Sequence, residues 1–439
     1  MKELFFALAD VACAGLRGNE VLLLNFSGEL TDFVRFNQGH VRQPMTVRQA
    51  HLAVALIDGR RRNEVTLTLT GTPDDRATVT DAVKALRDEL PLLPEDPFLL
   101  YATEPGRSER ADAGSLPSAA QAIEDVVSAA RGTDLVGLLA SGPVMRGFAN
   151  SLGARHWHEV DAFLLDWSLY HSGDKAVKCA WSASTWDRSE LASRIDDART
   201  QLAHLAKPAR ALQPGEYRTY LAPAALDELA GMLNWSGVSA KAQRTKQSCI
   251  QKLVDGQAAL SPLVHVTEDS ENGLAPRFDE AGFLKPACIE LIRGGLHAGS
   301  MTSPRTGAEY GIPSNGADAD ESTSALTLAP GSLAETQVLE ALDTGLYVGN
   351  LHYLNFSDRT NGRVTGMTRF ATFWVENGRI VAPARVMRWD DTLYRMLGDN
   401  LEALTDRAHW ILDSRTYGQR SVQTSRVPGA LLSRMAFTL

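Results

Sequence analysis

Residues 369–380 read RFATFWVENGRI, and this stretch decides how the C-terminal half of the chain folds. Phe370, Thr372, Trp374 and Glu376 alternate with Ala371, Phe373 and Val375, the two-residue period of a strand. Aromatic and β-branched side chains favour that conformation. Asn377-Gly378 follows, the strongest short hairpin signal, because both residues tolerate positive φ. The stretch therefore predicts an antiparallel hairpin with Phe373 and Val375 in a core.

Working outward, the chain after Glu216 has the same texture. Residues 217–222 read as a strand and 223–233 as an amphipathic helix, followed by short strands separated by Gly, Pro, Asn and Asp. The expectation is a β-rich domain over 216–439 with a large curved, mostly antiparallel sheet. Residues 302–335 are polar and rich in Gly and Pro, so they read as a long loop that is functional or mobile.

The N-terminal half mixes both periods. Residues 21–26, 32–37, 53–57 and 65–70 read as strands, and 75–91 as a helix with Val79, Val83, Leu86 and Leu90 on one face. Residues 102–118 look like a linker. A second unit, 119–215, carries strands near 135–139, 146–150, 162–170 and 175–181 and a helix over 189–205. The fold class is α+β, with two N-terminal sandwich-like units (1–101 and 119–215) before the β-rich domain.

Composition narrows the function. The 439 residues are 44% apolar and 22% charged, ordinary for a globular protein of two or three domains. With 44 Lys and Arg against 53 Asp and Glu, the net charge of -9 argues against a nucleic-acid partner held by a basic surface. Arg60, Arg61 and Arg62 follow Asp58-Gly59 and read as a solvated hairpin turn. Leu4, Leu8, Val11 and Leu16 recur at helical spacing, so an amphipathic first helix is expected. No apolar run approaches membrane-spanning length. Cys13, Cys179, Cys249 and Cys288 stand singly without CxxC spacing, which suits reduced thiols of a cytoplasmic protein and offers no thiolate metal site.

One stretch raises the question of zinc. HWHEVDAF (156–163) begins like HExxH, in which two His one turn apart hold the metal and the Glu activates water. The second His would fall at 162 or, in HExxxH, at 163, where Ala162 and Phe163 stand. His156 and His158 would share one strand face with Glu159 on the other, and they read as partly exposed strand-end histidines beside Trp157. GADADES (316–322) suggests a calcium loop through Asp318, Asp320 and Glu321, but the sixth position requires Gly and is Thr323. A solvated acidic loop is the better reading. GxSxG, GxxxxGK[ST] and GxGxxG are absent.

A family resemblance covers nearly the whole chain. GLYVGNLHYLNFSDRTNGRVTGMTRFATFWVENGRIVAPARVMRWDDTLYRML (345–397) resembles the TldD/TldE (PmbA) family, and specifically its TldE branch. FDEAGF (278–283) resembles that family's Asp-Glu-x-Gly turn. IRGGLHAGSMTSPRTGAEYG (292–311), NSLGARHW (150–157) and SGELTDFVRFNQGHVRQ (27–43) fit as well. The resemblance implies a cytoplasmic heterodimeric zinc metallopeptidase acting on unfolded or modified peptides, with zinc in a TldD-like, HExxxH-bearing subunit. The stretch here corresponding to that motif, NWSGVSAKAQRTKQSCI (234–250), has no His and no Glu. LDSRTYGQRSV (412–422), matching the region of a later TldD metal ligand, has no Cys or His. The resemblance thus implies a metal-free, TldE-type subunit that shapes the chamber and binds extended substrate, with no catalytic residue of its own. His297, Arg305, Tyr310, Tyr347, Asn350, His352 and Arg369 are expected to line its cleft. The alternative is a non-enzymatic peptide-binding or regulatory homodimer of the gyrase-modulator kind.

Overall fold

The structure is a computed structural model that describes residues 1–173 and 175–438. Seven strands of the N-terminal half form one sheet. They are β1 (Val21–Asn37), β2 (His40–Asp58), β3 (Arg61–Thr68), β4 (Gly106–Asp112), β5 (Asp134–Asn150), β6 (Ala154–Ser172) and β7 (Lys175–Ala183), in the order β3-β2-β1-β5-β6-β4, with β7 also on β6. The pairs expected as separate short strands, 21–26 with 32–37 and 135–139 with 146–150, are single long ones.

Two expectations need correction. The division between 1–101 and 119–215 is not a break in the sheet, because β1 pairs antiparallel with β5 from Leu23–Asn150 to Phe36–Gly137. The stretch read as a linker contains β4, which runs parallel to β6 from Gly106–Ala154 to Asp112–Val160. Alternating polar side chains in RSERAD hid a strand whose stability comes from its neighbour's ladder rather than from apolar burial.

Four helices cover one face of this sheet. Leu22, Leu24 and Phe26 of β1 and Leu52, Val54 and Leu56 of β2 are buried under α1 (Lys2–Ala14) and α2 (Asp74–Glu89). Leu23, Ala55, Ile57 and Phe148 point the opposite way, toward Phe278 of the C-terminal half. Toward the far ends of the strands, α3 (Ala119–Ala129) and α4 (Arg188–Leu205) pack on Leu135, Leu139, Leu165 and Trp167.

The C-terminal half holds two sheets. Its strands are β8 (Gly215–Leu221), β9 (Val266–Asp269), β10 (Cys288–Arg293), β11 (Leu296–His297), β12 (Ala325–Leu328), β13 (Gly345–Asp358), β14 (Arg363–Glu376), β15 (Arg379–Pro383), β16 (Arg388–Thr392), β17 (Leu401–Leu404), β18 (His409–Leu412), β19 (Thr424–Val427) and β20 (Ala430–Phe437). The expected curved sheet closes on itself: β13, β8, β20, β16 and β14 pair in sequence, and β14 returns to β13. Closure leaves those five strands without free edges. The second sheet runs β11-β10-β9-β12-β19-β18. Helices α5 (Pro223–Asn234), α6 (Ala240–Arg244) and α7 (Gln251–Val254) lead from the first sheet to the second, and α8 (Pro304–Tyr310) lies between β11 and β12.

The opening hairpin forms as expected, with Asn377 at φ 49° and Gly378 at φ 70° between β14 and β15. Both of its faces are buried. Trp374 joins the core of the C-terminal half, while Ala371 and Phe373 join the cluster under α3 and α4. The stretch 302–335 is more structured than its composition implies, since it contains α8 and β12. Glu321 pins it. Its buried carboxylate accepts from Ser239 Oγ, Lys241 N, Ser303 N and Ser303 Oγ at 2.6–2.9 Å.

Candidate functional site

Between the uncovered face of the large sheet and the C-terminal half lies a cleft of about 690 Å³, within the range of ligand-binding pockets. One wall is the sheet, through Asn25, Ser27, His51, Arg62, Glu64 and Arg146. These side chains share a face because strand register aligns them: Ser27 lies opposite both His51 and Arg146, and Asn25 opposite Ala53. The other wall is made by loops carrying Asp279, Glu280, Lys285, Asp318, Asp320 and Ser324.

The turn FDEAGF builds part of that second wall. Asp279 Oδ1 accepts from the backbone N–H of Ala281 (3.0 Å) and of Phe283 (2.8 Å). Gly282 adopts φ +87°, and a Cβ there would lie 2.3 Å from the Phe148 ring, so the turn requires glycine. Asn25 Nδ2 donates to Glu280 O at 2.8 Å and ties the turn to β1. Burial pushes the Asp279 carboxyl up to about 6, despite the N–H donors and with help from the Asp318 charge. Asp318 is raised by burial too, while the Lys285 ammonium pulls it down. Its Oδ1 is enclosed with no hydrogen-bond partner.

Lys285 reaches the cleft from a buried network. Its Nζ lies 3.0 Å from Glu268 Oε1 and donates to Ser324 Oγ at 2.6 Å. Glu268 Oε2 accepts from the N–H groups of Ser324 (3.0 Å) and Ala325 (2.8 Å). Behind the opposite wall, Arg420 is 3% exposed and donates to Gly142 O (2.9 Å) and Ala162 O (2.8 Å). Burial lowers its guanidinium to about 10. Arg420 thereby anchors the segment that closes one end of the cleft.

The residues of HWHEVDAF do not fit a metal. They lie inside β6, not at a strand end, and His156 and His158 are 1% and 2% exposed. The His156 ring sits between Phe148 and Phe278, and its Nδ1 is 2.8 Å from Ser108 Oγ. His158 Nε2 donates to Leu274 O at 2.8 Å, and burial lowers the imidazole to about 4. Glu159 lies on the opposite face with Trp157 Nε1 3.2 Å away. Among the described residues, no three His, Cys, Asp or Glu side chains gather in a metal-holding arrangement.

The seven residues expected to line the cleft are not among its walls. Tyr347 is half-buried, with its ring against those of Tyr220 and Phe373, and burial raises its phenol. Arg305 pairs with Asp96 at 3.3 Å and lies over the Phe98 ring, a tie between the two halves. His297 is half-buried, 3.3 Å from Ser300 Oγ, and Tyr310 ends α8. Asn350, His352 and Arg369 do come together on the β13–β14 hairpin, where Asn350 opposes Arg369 and His352 opposes Met367. The sequence reading missed Lys285 and Arg146. It met Asp279, Asp318 and Arg62 but read them as a turn, an acidic loop and a hairpin end; no signal in a single sequence showed that these stretches converge.

Residues 214–439 match the family model described as PmbA/TldA metallopeptidase C-terminal domain. The chain belongs to the PmbA/TldD metallopeptidase family. No curated protein matches it. Among solved structures, TldE from Thermococcus kodakarensis superposes with a TM-score of 0.77 at 14% identity, over 100% of both chains. A protein described as a modulator of DNA gyrase from Thermotoga maritima gives 0.76 at 14% identity, over 100% of this chain and 99% of that one. A protein of the same description from Bacteroides thetaiotaomicron gives 0.75 at 15% identity, over 100% and 98%. These likenesses establish a shared PmbA/TldD fold from end to end. No helix among the described residues is long and apolar enough to cross a membrane.

Proposed function

We propose that this chain is the metal-free, TldE-type subunit of a two-subunit peptidase, holding an extended peptide while a zinc-bearing TldD-like partner cleaves it. The observation that carries this reading is the donor set around α6. The segment corresponding to the partner's HExxxH helix here supplies Ser239, Lys241, Gln243 and Arg244, none of them a His or carboxylate. The histidines of β6 are committed to Ser108 and Leu274 and reach no common point with a third ligand. The cleft supports the substrate-holding role, because an unfolded segment can offer main-chain and side-chain groups to both of its charged walls. Cytoplasmic assembly with the partner is part of the proposal, and a homodimer is the state expected when the partner is missing.

The test is co-expression with an HExxxH-bearing relative. The expected result is co-purification of a stable complex with chelator-sensitive cleavage of an unfolded peptide, while this chain alone cleaves nothing. Stoichiometric zinc in the isolated chain, or peptidase activity without the partner, would overturn the reading.

A further inference from the structure

We propose that the outer face of the β13–β14 hairpin is the surface on which the partner subunit docks, and that it meets an acidic patch of that subunit. This rests on the two-subunit reading given above and specifies where, and with what chemistry, the partner binds.

The argument starts from strain. Tyr353 has φ +60° and Phe370 φ +54°, a backbone region that bulky side chains rarely enter. Both fall at breaks in the β13–β14 ladder, where the register shifts between Val348 and Asn350 and between His352 and Asn355. Bulges re-aim side chains. This one turns Tyr353 outward, 81% exposed, with the His352 ring 5.3 Å away. Backbone strain of this kind clusters at sites that bind or switch, and the chain itself leaves the strained ring uncovered.

The neighbours of Tyr353 give the face its chemistry. Register places His352, Met367 and Arg388 side by side across β13, β14 and β16, with Asn350 opposite Arg369 in the next row. Leu351, Thr368 and Trp389, which alternate with them, are buried, so these rows face outward. His352, Met367, Arg369 and Arg388 are all exposed. Arg369 lies over the Phe370 ring, and Arg388 donates to Thr365 Oγ1 at 3.2 Å. Asp390, the acid on this face, is taken by Arg363 at 2.6 Å. Neither Arg369 nor Arg388 forms an ion pair with a carboxylate of the described residues. Tyr, Met and Arg together, without Lys or Glu, match the composition of interface cores and hot spots.

Charge selects the occupant. On a chain of net charge -9 this patch is cationic, so its complement is acidic. A second copy of the chain does not supply that complement, because a two-fold interface sets the same patch against itself and like charge against like. The overall charge disfavours nucleic acid as well.

The test uses the full chain and the HExxxH-bearing relative, with affinities read from sedimentation equilibrium. Arg369→Glu should weaken the complex about tenfold at low salt, and by less at high salt, where charges are screened. Tyr353→Gly should weaken it by a similar factor while leaving the isolated chain at least as heat-stable, since glycine accepts the positive φ. That combination separates lost docking from failed folding. A complex whose affinity neither substitution changes would overturn the inference and leave the two-subunit reading standing. Loss of self-association in the isolated chain on the same substitutions would overturn it too, by making a second copy the occupant. DNA binding that Arg369→Glu abolishes would do so by making nucleic acid the occupant. Failure of the unmodified chain to bind the relative would overturn both.

Discussion

Lys285 Nζ lies 3.0 Å from Glu268 Oε1, with the side chains 7% and 0% exposed. A buried pair of this kind adds little net stability over apolar residues, but removing one partner strands the other charge. Lys285→Met is therefore expected to cost about 3–5 kcal/mol. Adding Glu268→Gln should recover much of that loss, since the amide oxygen can still accept from Ser324 N and Ala325 N. Urea unfolding of the two single variants and the double variant measures this. A double variant no more stable than Lys285→Met would show that packing rather than charge sets the cost.

His158 ties stability to pH. Its folded-state pKa is depressed to about 4 from 6.5, so between these values the unfolded chain binds more protons. Stability from this group is complete above about 6.5 and is lost as pH falls toward 4, by about 3 kcal/mol in total. Carboxylates titrate in the same window, so the difference between the natural chain and His158→Gln isolates the term. Glutamine can still donate to Leu274 O, and its stability should fall less steeply from pH 7 to 5 in urea midpoints.

Asp279 has the opposite sign. Its carboxyl is raised to about 6, so the folded state binds the extra proton, and stability declines as pH rises from about 4 through 6. Asp279→Asn should be neutral at pH 4 and stabilising at pH 8, because the amide oxygen can accept the same two N–H groups without an ionised charge. Thermal melts at both values test it. A gain at pH 8 would mark a residue kept at the expense of stability.

The fold was legible where local chemistry decides it. Asn377-Gly378 fixed a turn, and Val79, Val83 and Leu86 fixed the buried stripe of α2. What escaped was pairing across long sequence separations. Nothing in residues 21–37 says that they will lie beside 134–150, and nothing in 106–112 says that a parallel neighbour waits at 154–160. The site was hidden for the same reason, because Arg146, Asp279, Lys285 and Asp318 belong to stretches that only the tertiary fold brings together. Tyr347 shows the converse. A polar-tipped residue in a motif-bearing strand was read as cleft-lining, but its ring packs against Tyr220 and Phe373 and is not part of the cleft wall.

Gly282 carries the final prediction. A Cβ at this position would meet the Phe148 ring at 2.3 Å, and φ +87° is unfavourable for any L side chain. Gly282→Ala should destabilise by about 2–4 kcal/mol, from overpacking and backbone strain together. The two causes separate in a Phe148→Ala background, where the ring is gone and only the backbone part, about 1 kcal/mol, should remain. Additive stability effects of the two substitutions would show that the turn and the ring do not constrain each other.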